Sequence, residues 1–216
     1  LEAFCCGLNE SGINVKNIGL VTSPMLYFAA KKEISKSGVI ITGSHNPKNY
    51  NGIKMVINDE SVSGSEILGL MSDVLSSSTL EKGTLIYDDI KDIYLKEVVE
   101  NINLPKGDKL KVVLDCGNGA AGCIAPDLFK KLGCDVYELF SEVDGNFPNH
   151  HPDPGKVENL IDLIDEVKNQ SADLGLAFDG DGDRVGLVTN KGEVIFPDKL
   201  MMLFSKDILS REKGKV

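Results

Sequence analysis

The sequence contains no tryptophan, and its 23 Lys and Arg are outnumbered by 33 Asp and Glu, giving a formal net charge of -10. That shortage of positive charge argues against a nucleic-acid surface, because neutralising phosphates requires clustered Lys and Arg. Long apolar runs are missing too: none approaches the roughly 20 residues of a membrane-spanning helix, and nothing near Leu1 reads as a secretory leader. No membrane role is expected. The five cysteines, Cys5, Cys6, Cys116, Cys123 and Cys134, show no C-x-x-C or other metal-ligand spacing. Cys5 and Cys6 are adjacent and the count is odd, which disfavours a disulfide framework and favours reduced thiols in a cytoplasmic protein. Tandem repeats, low-complexity tracts and acidic tails are absent. The opening LEAFCCGLNESGINVKNIGL reads as helix and strand from inside a domain, so the chain is expected to be incomplete.

What is present is an alternation of short apolar runs with helical patterns over 216 residues, enough for one large domain or two modest ones. NIGLVT (17–22) and GVIIT (38–42) read as buried parallel strands around a helix in PMLYFAAKKEIS, and GIKMVI (52–57) as another strand. Ser63-x-x-Glu66 is a capping-box pattern opening a helix through Ile67, Met71, Val74 and Leu75. The polar segment 76–89 is the candidate boundary. Beyond it come a helix with Tyr94, Leu95, Val98, Val99 and Ile102 on one face, the strand LKVVLD (110–115), a Gly-rich turn, a helix near 124–132 and the strand CDVYELF (134–140). A helix over 159–170 follows, then two strands, DLGLAFD and RVGLVTN, and a terminal helix. The pattern predicts α/β architecture with mainly parallel sheets.

The loop between the last two strands, AFDGDGDRVGLV (177–188), concentrates negative charge: Asp179, Asp181 and Asp183 alternate with Gly180 and Gly182. Two carboxylates about 4 Å apart repel by roughly 4 kcal/mol at a protein-like effective dielectric. Glycines let the backbone turn all three toward one point, where an all-oxygen donor set suits a hard cation, Mg²⁺ or Ca²⁺. An EF-hand is excluded, since its sixth and twelfth positions would be Arg184 and Asn190 and its flanks are strands. Mg²⁺ favours octahedral coordination completed by phosphate or substrate oxygens, which raises the question of a phosphoryl source.

Three further loops invite chemistry. TGSHNPKNYNGIK (42–54) places Ser44 and His45 in a polar turn where a strand ends, so Ser44 is a nucleophile candidate with His45 as its hydrogen-bonding neighbour; the same residues also make an ordinary turn. DCGNGAAG (115–122) matches G-x-G-x-x-G after a strand, with Glu138 downstream, formally a dinucleotide fingerprint, although Asp115 puts a carboxylate where a pyrophosphate would approach. EVDGNFPNHHPDPGKVENL (142–160) carries His150, His151 and Asp153, but adjacent histidines point apart, and the segment reads as an irregular loop feeding the next helix.

These four loops in this order resemble the α-D-phosphohexomutase family, specifically its bacterial phosphomannomutase/phosphoglucomutase branch. GVIITGSHNPKNYNGIKM, VVLDCGNGAAG, EVDGNFPNHHPDPGKVENL and ADLGLAFDGDGDRVGLVTNKGEVIFPDKL carry the likeness across nearly the whole chain. Phosphoglucosamine mutases look similar but usually have Ala before the serine, so Gly43 leans toward the hexose enzymes. The resemblance implies two α/β domains with mixed, mainly parallel sheets, assigned here to residues 1–88 and 89–192, and the start of a third at 193–216. It implies a phosphoserine at Ser44, one of whose oxygens would join Asp179, Asp181 and Asp183 around Mg²⁺. The phosphoryl group would pass to a hexose 1- or 6-phosphate of mannose or glucose, and the bisphosphate would return its other phosphoryl to Ser44. His45 and Lys54 would serve catalysis, Lys54 as a general acid/base, while Asn46 and Arg184 would hold phosphate. The family's third-domain sugar-selecting loop and fourth-domain phosphate clamp have no counterpart here, so those domains are missing partners and the piece alone is expected to be inactive. A D-x-D metal-dependent phosphatase using Asp179 and a nucleotide-binding module on Gly117–Gly122 are the rival readings.

Overall fold

The computed structural model describes residues 1–70, 81–102, 104, 107 and 109–212. These fall into two compact units, Leu1–Glu97 and Val98–Val216.

The first unit opens with α1 (Glu2–Glu10) and β1 (Val15–Asn17). The strand expected over 17–22 is not formed. Asn17 Oδ1 accepts the Gly19 N–H at 2.9 Å, and Gly19 takes φ +72, so an Asx-type turn ends β1 early. Thr22 then caps α2 (Ser23–Lys32), its hydroxyl accepting from the Met25 N–H, with proline in the first turn and Lys31 and Lys32 in the last. Met25, Leu26 and Ala30 form its buried face. A second correction concerns β2 (Gly38–Ile41): it pairs antiparallel with β3 (Ile53–Ile57), which pairs antiparallel with β4 (Glu60–Ser61). The short return through residues 42–52 allows only that direction, since a parallel crossover needs a dozen or more residues.

The capping box forms at the start of α3 (Gly64–Leu70): the Ser63 N–H donates to Glu66 Oε2 at 2.6 Å. The rest of the helix expected through Met71, Val74 and Leu75 lies outside the described residues. Within the polar stretch 76–89, residues Leu85–Tyr87 form β5, parallel to β1. α4 (Lys91–Asn101) buries Leu95, sets Tyr94 edge-on to Phe28 at 5.3 Å, and pairs Glu97 with Lys32 at 2.9 Å.

The second unit is a three-layer sandwich. Its sheet runs β10 (Val194–Ile195), β9 (Val185–Thr189), β8 (Leu174–Phe178), β6 (Lys111–Asp115), β7 (Asp135–Leu139), parallel among β7, β6 and β8 and antiparallel beyond. Because side chains alternate across a strand, Val113 faces one layer while Val112 and Leu114 face the other. Val113 packs with Leu163 and Val167 of α6 (Ile161–Asn169); Val112 and Leu114 pack with Ala121 and with Ala125 of α5 (Ala125–Lys131). Burying one such Leu or Val contributes about 1.5–3 kcal/mol. Short 3₁₀ turns, Ala120–Cys123 and Val157–Leu160, lead into α5 and α6. α7 (Pro197–Arg211) buries Leu200 and leaves Met201, Met202, Leu203, Phe204, Ile208 and Leu209 exposed. No described helix is long and apolar enough to cross a membrane, and no disulfide joins the five cysteines, all of which are described.

Candidate active site and metal centre

The acidic loop joins the antiparallel pair β8 and β9, and pairing of Phe178 with Val185 closes its neck. Gly182 at φ +70 lets the chain double back, with its N–H donating to Asp179 O at 3.0 Å. One oxygen from each of Asp179, Asp181 and Asp183 lies within 4.8 Å of the others, and the first two residues are buried. Convergence, burial and an all-oxygen donor set fit a hard divalent ion.

Asp179 is held at both oxygens. Its Oδ1 accepts the Asp183 and Arg184 N–H groups at 3.0 and 2.9 Å, and its Oδ2 accepts from Arg184 Nε at 3.0 Å and Nη2 at 2.9 Å. Burial pushes its pKa up; the Arg184 backbone hydrogen bond and guanidinium oppose that rise, and the charges of Asp181 and Asp183 add to it. A cation among the three carboxylates would relieve that burden.

In the first unit, the serine loop is pinned where β2 hands over to β3. Thr42 N–H donates to Gly52 O at 2.9 Å, and a Cβ at Gly43 would lie 2.9 Å from Tyr50 O, so a side chain there would force the loop to shift. Thr42 Oγ1 accepts the Ser44 N–H at 2.8 Å, and Ser44 sits at φ +50. The left-handed region is uncommon for serine, and strain of that kind clusters at functional sites. Ser44 Oγ lies 3.4 Å from His45 Nδ1, and Asn46 stays in the turn through its N–H to Gly43 O. The β2–β3 register puts Lys54 opposite Ile40, and its Nζ approaches the buried Ser23 Oγ at 3.5 Å. Thr42 and Ser23 were not anticipated as contributors; the Thr-Gly-Ser turn was a usable signal for the first, whereas the second depends on tertiary packing. Ser44, His45, Asn46 and Lys54 thus belong to one unit, and Asp179, Asp181, Asp183 and Arg184 to the other.

The glycine fingerprint has another use. Ala120 N–H donates to Gly180 O at 2.9 Å, and a Cβ at Gly119 would lie 2.8 Å from that same oxygen. The aspartate loop itself occupies the close approach a pyrophosphate would need. Glu138, the formal ribose partner, pairs with Lys130 at 2.6 Å.

A three-layer domain whose strand-joining loop gathers three carboxylates, in a chain that also carries a strained serine loop, defines an α/β protein with a candidate metal site. Comparison with known proteins agrees. Residues 1–73 match the model for phosphoglucomutase/phosphomannomutase alpha/beta/alpha domain I and residues 92–192 that for domain II. The chain belongs to the phosphoglucomutase/phosphomannomutase family. It is 54% identical over 215 residues to a phosphomannomutase/phosphoglucomutase of Pseudomonas putida, covering 99% of this chain and 46% of that protein. It is 49% identical over 217 residues to a phosphoglucomutase of Neisseria gonorrhoeae, covering 99% and 47%. A crystal structure of a family member from Burkholderia thailandensis superposes with a TM-score of 0.90 at 43% identity, covering 97% of this chain and 47% of that one. The chain therefore spans less than half the length of these relatives.

Proposed function

We propose that the intact protein interconverts hexose 1-phosphates and 6-phosphates of mannose or glucose through a phosphoserine at Ser44. The observation that carries this reading is the convergence of three aspartate oxygens within 4.8 Å in a chain whose family-matched first domain holds Ser44 at φ +50. A Mg²⁺ ion held by Asp179, Asp181, Asp183 and a phosphoryl oxygen on Ser44 would neutralise charge on the transferring group. Phosphoryl transfer depends chiefly on such positioning and neutralisation.

In the forward step the bond from Ser44 Oγ to phosphorus breaks, and a sugar hydroxyl forms the new oxygen–phosphorus bond. The hydroxyl proton leaves to a neutral base, for which Lys54 is the candidate, and Ser44 Oγ ends as the hydroxyl, with His45 beside it to supply its proton. The second half reverses these roles at the other phosphate of the bisphosphorylated sugar. Arg184 supports the loop and the phosphoryl oxygens; Asn46 shapes the serine turn.

We assign residues 1–88 and 89–192 to the first two domains and residues 193–216 to the opening of a third, where α7 lies. Its exposed apolar residues suit burial against the remainder of that domain. The part of the relatives' length that these 216 residues do not span would supply sugar selection and a phosphate clamp, so the 216 residues should lack turnover by themselves. Intact-mass measurement tests the reading. Phosphate on the wild-type protein, absent from Ser44→Ala, supports it; phosphate retained by Ser44→Ala and carried on Asp179 favours the phosphatase reading instead. A coupled assay showing family-like turnover by the 216-residue chain would overturn the need for further domains.

A further inference from the structure

The loop that reads as an irregular connection into α6 holds an imidazole between two acceptors. His150 Nε2 lies 3.0 and 3.1 Å from the two carboxylate oxygens of Asp115, and its Nδ1 lies 3.0 Å from His151 O. A backbone carbonyl accepts and cannot donate, and an ionised carboxylate likewise. Both ring nitrogens therefore face acceptors, and only the doubly protonated imidazolium satisfies both. Asp115 is fully buried at the end of β6, and its Oδ1 also accepts the Gly117 N–H at 2.9 Å.

From Asp115 the chain runs into the turn beneath the acidic loop. Gly117 and Asn118 take successive left-handed conformations, φ +50 and +56. Asn118 is clamped by Phe140 O, Glu142 O and Asn149. Gly119 and Ala120 then meet Gly180, between the first two aspartates. The same histidine loop reaches the loop's other end, where Pro154 packs so closely on Gly186 of β9 that a Cβ there would lie 2.9 Å from the proline Cβ. A Cβ at Gly117 would likewise meet Pro152 and His150 at 3.2 and 3.3 Å.

We infer that His150 is a positioning residue for the aspartate loop: as an imidazolium bound to Asp115 it fixes the Gly117–Ala120 turn on which the loop's backbone is seated. This rests on reading the aspartate loop as a metal site. The groups facing the ring are Asp115 on β6, the His151 carbonyl and Phe140, whose ring lies 5.2 Å away at 77°, with the charge of Asp162 on α6 further off. Burial lowers the imidazole pKa, but Asp115, the His151 carbonyl and Asp162 outweigh it and hold it above the ordinary 6.5. The sign follows. A group whose pKa is raised by folding gives its support fully below its ordinary pKa, and that support is lost as pH climbs through the raised value. Neutral His150 can donate to only one of its two acceptors, so the seat loosens on the alkaline side.

Mn²⁺ binding to the full chain, followed by electron paramagnetic resonance from about pH 6 to about pH 8.5, spans the histidine range. Wild type should bind one ion and Asp181→Asn should lose it. His150→Gln, which keeps one donor but no charge, should bind roughly tenfold more weakly, as losses of outer-shell support do. Wild-type affinity should fall toward that of His150→Gln as pH rises, while the variant's own alkaline profile stays flat. Gly119→Ala should weaken binding at every pH; if it does not fold, His150→Gln decides alone. Loss of binding in Asp181→Asn with His150→Gln matching wild type in affinity and pH profile would overturn the positioning role and leave the metal reading intact. Absence of Mn²⁺ binding by wild type would overturn both.

Discussion

Arg184 closes back on Asp179 within a single loop, its Nε and Nη2 reaching Asp179 Oδ2 at 3.0 and 2.9 Å. The aspartate is fully buried, whereas the arginine side chain is 43% exposed. Removing one partner of a fully buried pair costs about 3–5 kcal/mol, but solvent screens this arginine, so a smaller loss applies. Arg184→Ala should destabilise the second unit by about 1–2 kcal/mol in urea unfolding. Excess Mg²⁺ should recover part of that loss, because a cation among the carboxylates replaces the missing charge. Failure of excess Mg²⁺ to stabilise either protein against urea would contradict the metal assignment.

The backbone of Ser44 supplies a second prediction. At φ +50 a serine pays a conformational cost of about 1–3 kcal/mol that glycine largely avoids. The Thr42 Oγ1 contact uses the Ser44 backbone N–H and survives removal of the side chain. Ser44→Gly should therefore leave the first unit as stable as wild type or more so, by up to about 1 kcal/mol in a urea titration. It should also take up no phosphate by intact mass. A marked destabilisation would show that the Ser44 side chain holds the loop rather than serving chemistry.

What could be read from the sequence divides along the reach of each signal. The three aspartates were legible because repulsion, alternate glycines and flanking strands all act within twelve residues, and their convergence follows. Ser44 beside His45 was legible for the same reason. The end of β1 was missed because NIGLVT is apolar, while the Asn17–Gly19 turn that stops it is a backbone event. β5 was missed because its three residues are all exposed and lie in polar surroundings, leaving no periodicity to detect. The glycines of DCGNGAAG matched a dinucleotide fingerprint, whereas the backbone they approach lies about sixty residues on at Gly180. His150 read as loop since Asp115, its partner, is 35 residues away in sequence.

The cysteines should separate sharply in reactivity. Cys116 is fully buried at the end of β6, and burial pushes its thiol up to about 12, with the Ser141 hydrogen bond opposing the rise. Cys6 is exposed on α1. Since the thiolate is the nucleophile, a thiol-directed reagent applied near pH 8 should label Cys6 quickly and spare Cys116 until denaturant is added. Peptide mass mapping reads both. The raised Cys116 value also means that stability falls as pH rises past the thiol's ordinary pKa of 9.0, where the unfolded chain ionises and the folded one does not. Prompt labelling of Cys116 in the native protein would contradict this burial.

Gly175 sets how closely α6 lies on β8, the strand that delivers Asp179. A Cβ there would come within 2.6 Å of Val167 Cγ2 and 2.7 Å of Leu163 Cδ1, both on fully buried side chains. Gly175→Ala should cost about 1–3 kcal/mol through overpacking, and Leu163→Ala about 2–5 kcal/mol through the cavity it leaves. The two changes act on one space with opposite sign, so the double variant should unfold with at least about 0.5 kcal/mol less destabilisation than the sum of the singles. Val167 still crowds the new methyl group, so the compensation stays partial. Urea unfolding of the four proteins completes the cycle, and strict additivity would show that α6 moves as a body instead of repacking against the strand.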